Sequence, residues 1–276
     1  MGKLSIYSEN AWLNHVLKVS VWTPPTDIYL SLHTADPTED GSGAECANAN
    51  NYSRTVCSSM FTTPAATRII SNDGLITCAT ASGTWGTVTS WGIWDSGTWG
   101  AGNLIAFGDF AVSKAVGNGQ TPKVAIGEID ISVPALDTPV RGMTTFCANE
   151  MLDMSFLDTN PAYTPAAIYV ALGVGLADDA GSMTNECAFT GSYARLQHEG
   201  TANWDTASVS VTANKTAITF VTATGSWGTV SDYFLTTTSA EDTGDMLLYG
   251  SFDASSAVIA DDQVNVPIGD LDITMA

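Results

Sequence analysis

At 276 residues, with 45% hydrophobic but only 14% charged residues, the chain is long enough for two medium domains with proper cores and leaves its polar surface to Thr, Ser, Asn and Gly. Thr, Val, Trp, Tyr and Gly outweigh the helix-favouring Lys, Glu, Arg and Gln, a β-rich composition. A net charge of −20 with nine basic residues opposes binding to a phosphate backbone or an anionic membrane, and favours solubility, a basic partner protein or cations.

The opening MGKLSIYSEN lacks the apolar core of a signal peptide, and no apolar run approaches the ~20 residues that span a bilayer, so a soluble chain not exported by the usual route is expected. Five cysteines (Cys46, Cys57, Cys78, Cys147 and Cys187), odd in number and without C-x-x-C spacing, read as small buried thiols in a reducing compartment.

Taken in order, the chain reads twice. A short amphipathic helix is expected first, capped by Asn10 with Leu13, Val16 and Leu17 on one face; Asn149, Leu152 and Phe156 repeat it. A strand follows at Ile28–His33, with a twin at Ile168–Leu172, each preceded by a Thr-Pro pair. Acidic, Gly-rich loops come next, ADPTEDGSGAEC (35–46) and ADDAGSMTNEC (177–187), leading to Tyr52-Ser53-Arg54 and Tyr193-Ala194-Arg195. Because basic residues are so few, a repeated Arg calls for a specific partner. Glu45 and Glu186 are the candidates, and a clamp of Arg54 on Glu45 and Arg195 on Glu186 would pin each loop.

Thr/Ala-rich strand material then reaches Trp85-Gly86-Thr87-Val88 and its echo Trp227-Gly228-Thr229-Val230, with a hairpin expected around Ala213-Asn214-Lys215. LIAFGDF (104–110) and MLLYGSF (246–252) form a further strand pair. In the last strand the apolar parity slips at Gly127-Glu128 and again at Gly269-Asp270, which predicts a β-bulge in both copies. The segment VPALDTPVRGMTTF (133–146), with Pro134 and Pro139, reads as the connector. The expected architecture is mainly β: two tandem β-sandwich, jelly-roll-like domains, residues 1–138 and 139–276, each preceded by a short α-helix.

His15, His33 and His198 occupy no matched positions and read as structural histidines, and no fingerprint of nucleophile, zincin, P-loop or dinucleotide chemistry occurs. Asp36, Glu39, Asp40 and Glu45, echoed by Asp178, Asp179 and Glu186, are the hard-oxygen groups that calcium prefers, although the spacing is not an EF-hand and a solvated turn is the favoured reading. Trp85 and Trp227, being repeated, point to packing. Trp91, Trp94 and Trp99 crowd one hairpin; local packing is the favoured reading, with a carbohydrate platform or a protein contact the alternatives and Trp99 the best exposed candidate. The second copy has Tyr233, Leu235 and Thr237 or nearby polar residues instead.

The run IYLSLHTADPTEDGSGAE…YSR, then WGTVTSWGIWD…GNLIAFG, resembles a family of small virion proteins of tailed bacteriophages over residues 10–133 and, more weakly, 149–275. The resemblance implies a non-enzymatic structural protein of the particle, either a tail-fibre accessory or a head-decoration (cement) protein. It would be assembled in the bacterial cytoplasm and bind other virion proteins, as a symmetric oligomer. The tandem duplication departs from single-copy relatives, and the second copy has lost the SLHTADP and GIWD runs. A glycan-binding receptor module built on the tryptophan hairpin is the alternative reading, and a calcium-stabilised domain a third.

Overall fold

The computed structural model describes residues 2–134, 141–157, 163–177, 179–241 and 243–275; Asp178, Pro139 and the expected boundary at 138/139 lie outside them. The fold is mainly β with two α-helices. In the first repeat the elements are β1 (Lys3–Leu4), α1 (Ile6–Val16), β2 (Tyr29–His33), β3 (Thr55–Val56), β4 (Ile69–Ser71), β5 (Ile76–Thr77), β6 (Gly86–Trp94), β7 (Leu104–Val116), β8 (Lys123–Val124) and β9 (Asp130–Ser132). The second repeat reproduces each: β10 (Arg141–Met143), α2 (Thr145–Phe156), β11 (Tyr169–Gly173), β12 (Leu196–Gln197), β13 (Val211–Ala213), β14 (Ile218–Thr219), β15 (Gly228–Thr236), β16 (Met246–Val258), β17 (Asn265–Val266) and β18 (Asp272–Thr274).

Each repeat forms one antiparallel five-stranded sheet, ordered β1-β7-β6-β2-β3 and β10-β16-β15-β11-β12. The remaining strands pair as two-stranded ribbons, β4 with β9 and β5 with β8, then β13 with β18 and β14 with β17. Both long central hairpins carry an irregularity at the same place, between Val88 and Ser90 and between Val230 and Asp232. The register across β2 and β6 sets Leu32 against Trp91 and Ser31 against Gly92, while β11 and β15 set Leu172 against Tyr233 and Ala171 against Phe234.

The helices begin earlier than their apolar pattern suggests. Ser5 Oγ accepts the Ser8 N–H at 3.3 Å and Thr144 Oγ1 accepts that of Cys147 at 3.2 Å, so the hydroxyls before each helix are the N-caps. Asn10 and Asn149, expected as caps, lie inside the helices and reach elsewhere. The chain divides into two compact units, and they exchange helical segments. The first comprises Met1–Glu9, Thr23–Val133 and Asn149–Ala162; the second comprises Asn10–Trp22, Pro134–Ala148 and Tyr163–Ala276.

The exchanged segments bond in matched fashion. In the second unit Asn10 Oδ1 accepts the Ser210 N–H and Asn14 Oδ1 that of Ala207, both at 2.8 Å. In the first unit Asn149 Oδ1 accepts the Arg68 N–H at 2.9 Å, and Asp153 Oδ1 that of Ala65. The turns so held place Thr67 and Arg68, and Val209 and Ser210, at positive φ, a costly conformation for the β-branched Thr67 and Val209. Phe156 packs on Phe61 within the first unit, with ring centroids 5.9 Å apart.

Two further local expectations change. No hairpin forms around Ala213-Asn214-Lys215, because β13 and β14 take different partners, β18 and β17. The parity slip near the end of each repeat is a tight turn between two short strands, not a bulge within one. Glu128 N–H donates to Ala125 O at 3.2 Å and Asp270 N–H to Pro267 O at 3.3 Å, with Gly127 and Gly269 at φ 72° and 81°. That left-handed third position is where a type II turn needs glycine.

Candidate functional site

Each repeat builds a buried clamp from its Tyr-x-Arg triplet. In the first, Arg54 Nε and Nη2 donate to Glu45 Oε1 and Oε2, both at 2.9 Å, a bidentate pair whose side chains are almost wholly out of solvent. Tyr52 OH donates to Glu45 Oε1 at 2.9 Å and itself accepts the Leu32 N–H at 3.1 Å. The remaining nitrogen, Arg54 Nη1, donates to Ser96 O and Ala101 O, both at 2.8 Å. One guanidinium thus ties the acidic loop to the hairpin tip that follows β6. The second repeat is built alike: Arg195 meets Glu186 at 2.8 and 2.7 Å and reaches Thr238 O at 2.8 Å and Thr243 O at 3.1 Å.

The repeated tryptophans stack on the clamp tyrosines edge to face, Trp85 on Tyr52 at 5.2 Å and Trp227 on Tyr193 at 5.3 Å. Their indole N–H groups donate to loop carbonyls, Asn50 O at 2.9 Å and Gly191 O at 2.8 Å. The glycine after each tryptophan, Gly86 or Gly228, sits at φ 103° or 92°, which explains the Trp-Gly pair in both copies.

The three hairpin tryptophans have different fates. Trp91 is buried, and a Cβ placed on Gly2 or Gly108 would collide with its ring. Trp94 is buried too, lying 3.9 Å beneath the Arg54 guanidinium and donating its N–H to Ser31 Oγ at 2.8 Å. Neither can present a face to a ligand; both are packing residues. Trp99 stands apart at 45% exposure, anchored by an N–H bond to Cys46 O at 2.9 Å, on the tip that Arg54 holds.

Behind the clamp, Ser31 Oγ lies 2.7 Å from His33 Nε2, a pairing that in an open cleft would suggest a nucleophile and its base. Both residues are fully buried, and burial pushes the His33 pKa down to about 4 against the pull of Glu45, so the ring is neutral and sealed. His33 Nδ1 and His198 Nε2 are buried without a hydrogen bond of good geometry, whereas His15 accepts from the Trp22 N–H and pairs with Tyr163 O.

The acids named for calcium serve the loops. Asp36 accepts the Thr38 N–H at 2.8 Å; Asp40 accepts Thr38 Oγ1 and the Ser42 N–H, which hold its pKa down to about 2. Glu39 pairs with Lys3 at 2.7 Å on the surface, Asp179 accepts Tyr249 OH at 2.6 Å, and Glu45 and Glu186 are committed to their arginines. Among the described residues no three His, Cys, Asp or Glu side chains converge as a metal site would require. All five cysteines are buried thiols, and burial raises Cys46 to about 11 and Cys187 to about 12.

Sequence reasoning did not find Asn72 and Asn214, which are buried at matched positions. Each carboxamide spans the turn after β8 or β17, donating to Ala125 O or Pro267 O at 2.8 Å and accepting the N–H of Ile129 or Leu271 at 2.9 Å. Their equal spacing from the turn glycines was the available signal.

Compared with known families, the chain matches the model described as Podophage GP4 fiber I protein gp80 twice, over residues 3–132 and 142–274. No curated protein matches it. The two matches cover nearly the whole chain, and it belongs to this family of phage fibre proteins, in tandem duplication.

Proposed function

We propose that this member of the fibre family is a non-enzymatic structural component of the virion that acts through protein–protein contacts in the tail-fibre apparatus, not as a head-decoration or cement protein. The observation that carries the reading is the double family match, each copy bearing the same internally satisfied clamp. A buried ion pair of this kind holds two loops in one geometry and has no ligand position left over, which suits a scaffold better than a reaction centre. On this reading residues 1–138 and 139–276 are two copies of one module, assembled in the bacterial cytoplasm with other virion proteins as a symmetric oligomer. Neither nucleic acid nor membrane is a partner. Purified particles imaged at low resolution with an antibody against the chain should carry label on the tail fibres. Label on the head shell, or none, would sink the proposal.

Trp99 supports a second reading, a receptor-recognition module for glycans, since it is exposed on a tip fixed by Arg54. A glycan array should then show binding by the wild type that is lost in Trp99→Ala; background signal from both removes this reading.

A further inference from the structure

Most large apolar side chains exposed in one copy have no large apolar counterpart exposed in the other. Val112, for example, stands where the second copy has Ala254, Leu75 where it has Ala217, and Ile259 where the first has Gly117. Among the described residues Ile126 and Ile268 are the exception: the same residue at the same turn position, each 65% exposed. Neither side chain serves its own core, so drift could have removed one without penalty. The buried facet around Ser31 and His33 was meanwhile rebuilt as Ala171 and Gly173.

The backbone beneath them is fixed with care. Asn72 Nδ2 bonds Ala125 O at 2.8 Å and Gly74 O at 2.9 Å, its Oδ1 accepts the Ile129 N–H at 2.9 Å, and its carbonyl accepts the Gly127 N–H at 2.8 Å. Asn214 repeats the pattern through Pro267 O at 2.8 Å, Thr216 O and the Leu271 N–H at 2.9 Å, and the Gly269 N–H at 3.0 Å. The turns project: a Cβ added at Gly127 or Gly269 would meet nothing within 4 Å. A rigid, projecting tip with an apolar side chain at its second position presents a knob.

We propose that Ile126 and Ile268 are two equivalent docking knobs, each inserted into an apolar socket rimmed by Lys or Arg on another protein of the particle. The rim follows from charge. Glu128 and Asp130 follow one knob in the chain and Asp270 and Asp272 follow the other, whereas Lys123, before the first knob, is matched by Asn265, so acidity is what the copies share. A second copy of this chain is disfavoured as occupant, because each carries a net charge of −20. Two identical knobs on one chain suit a partner that presents the same socket repeatedly.

The inference rests on the virion reading, and one experiment separates them. Phage are grown with the full-length wild type, Ile126→Asp, Ile268→Asp, the double variant or the conservative Ile126→Val, and copies per purified particle are counted by mass spectrometry. Each isolated variant should melt as wild type does. Incorporation should fall in both Asp singles, fall about tenfold or more in the double, and be kept by Ile126→Val. A photo-crosslinking residue at 126 or 268 should reach one and the same virion protein, at an apolar surface beside Lys or Arg. Full incorporation of the double variant, or crosslinks only to a second copy of this chain, overturns the knobs while leaving the virion reading intact. A wild-type chain missing from particles overturns the virion reading and the knobs with it.

Discussion

The two repeats share a clamp but fill the space behind it by opposite means. In the first, Gly92 on β6 leaves room for Trp94 to fold back over it: a Cβ there would sit 2.9 Å from both Trp94 Nε1 and Ser31 Oγ. The indole, Ser31 and His33 then form a buried polar chain. In the second, Phe234 replaces Gly92 and its ring lies over β11, where Gly173 replaces His33; a Cβ on Gly173 would come within 2.6 Å of the Phe234 ring. Ala171, Phe234, Met246 and the Tyr249 ring make that facet mainly apolar. The glycine has moved from one strand to its neighbour, and the bulk has moved the other way. The SLH and GIWD runs, about sixty residues apart in the chain, lie on the paired strands β2 and β6, and both differ in the second copy.

The largest test of this contrast is Phe234→Ala, which empties the apolar facet and should cost about 3–5 kcal/mol in denaturant unfolding. Gly173→Ala should be destabilising in the wild type but nearly harmless on top of Phe234→Ala. Strict additivity of the two would mean the facets are not the complementary fillings described. Next, Arg54→Ala and Arg195→Ala should each cost about 2–4 kcal/mol by stranding a buried glutamate. The first should be the worse, since Arg54 also lies 3.9 Å over Trp94 while Arg195 is 5.7 Å from Phe189. Wild-type melting in either variant would contradict the clamp's energetic role.

The third effect is specific to the first repeat. The His33 pKa is near 4 in the fold and near 6.5 in an unfolded chain, so between those values the unfolded state binds the extra proton. Stability should therefore fall as pH drops from about 6.5 towards 4, by on the order of 2–3 kcal/mol. His33→Gln should flatten that dependence in a pH series of melting curves, leaving whatever His198, also lowered by burial, contributes in the second unit. An unchanged slope would show that His33 does not titrate as described. The smallest effect belongs to Trp99→Ala, half exposed and expected to shift stability by less than about 1 kcal/mol; a larger loss would make it a packing residue.

Much of this was legible in the chain. Two copies of Glu…Tyr-x-Arg at nearly equal spacing, in a protein with nine basic residues, pointed to the ion pairs that form. Other features were hidden for physical reasons. Alternation of apolar residues marks where parity breaks, but a bulge and a type II turn both break it at a glycine, and only the hydrogen-bond partners differ. Asn10 satisfies the local rule for a cap, yet Ser5 satisfies it as well and is also tethered to β7 through Leu104 O. Which of the three hairpin tryptophans are buried was hidden too, because the seat of Trp91 depends on Gly2 and Gly108, which no local window joins. The exchange of helical segments left no local signature, since an amphipathic helix has the same pattern whichever core receives it.

That exchange sets a timetable for synthesis. The first unit lacks part of its packing until Asn149–Ala162 has been made, although its strands are complete at Val133. At about 5–20 residues per second, translation from Val133 to Leu157 holds the nascent first unit unfinished for roughly one to five seconds. During that interval the surfaces that Phe156 and Asp153 later cover remain open to the cell, and a chain stalled there would lie exposed to chaperones and proteases.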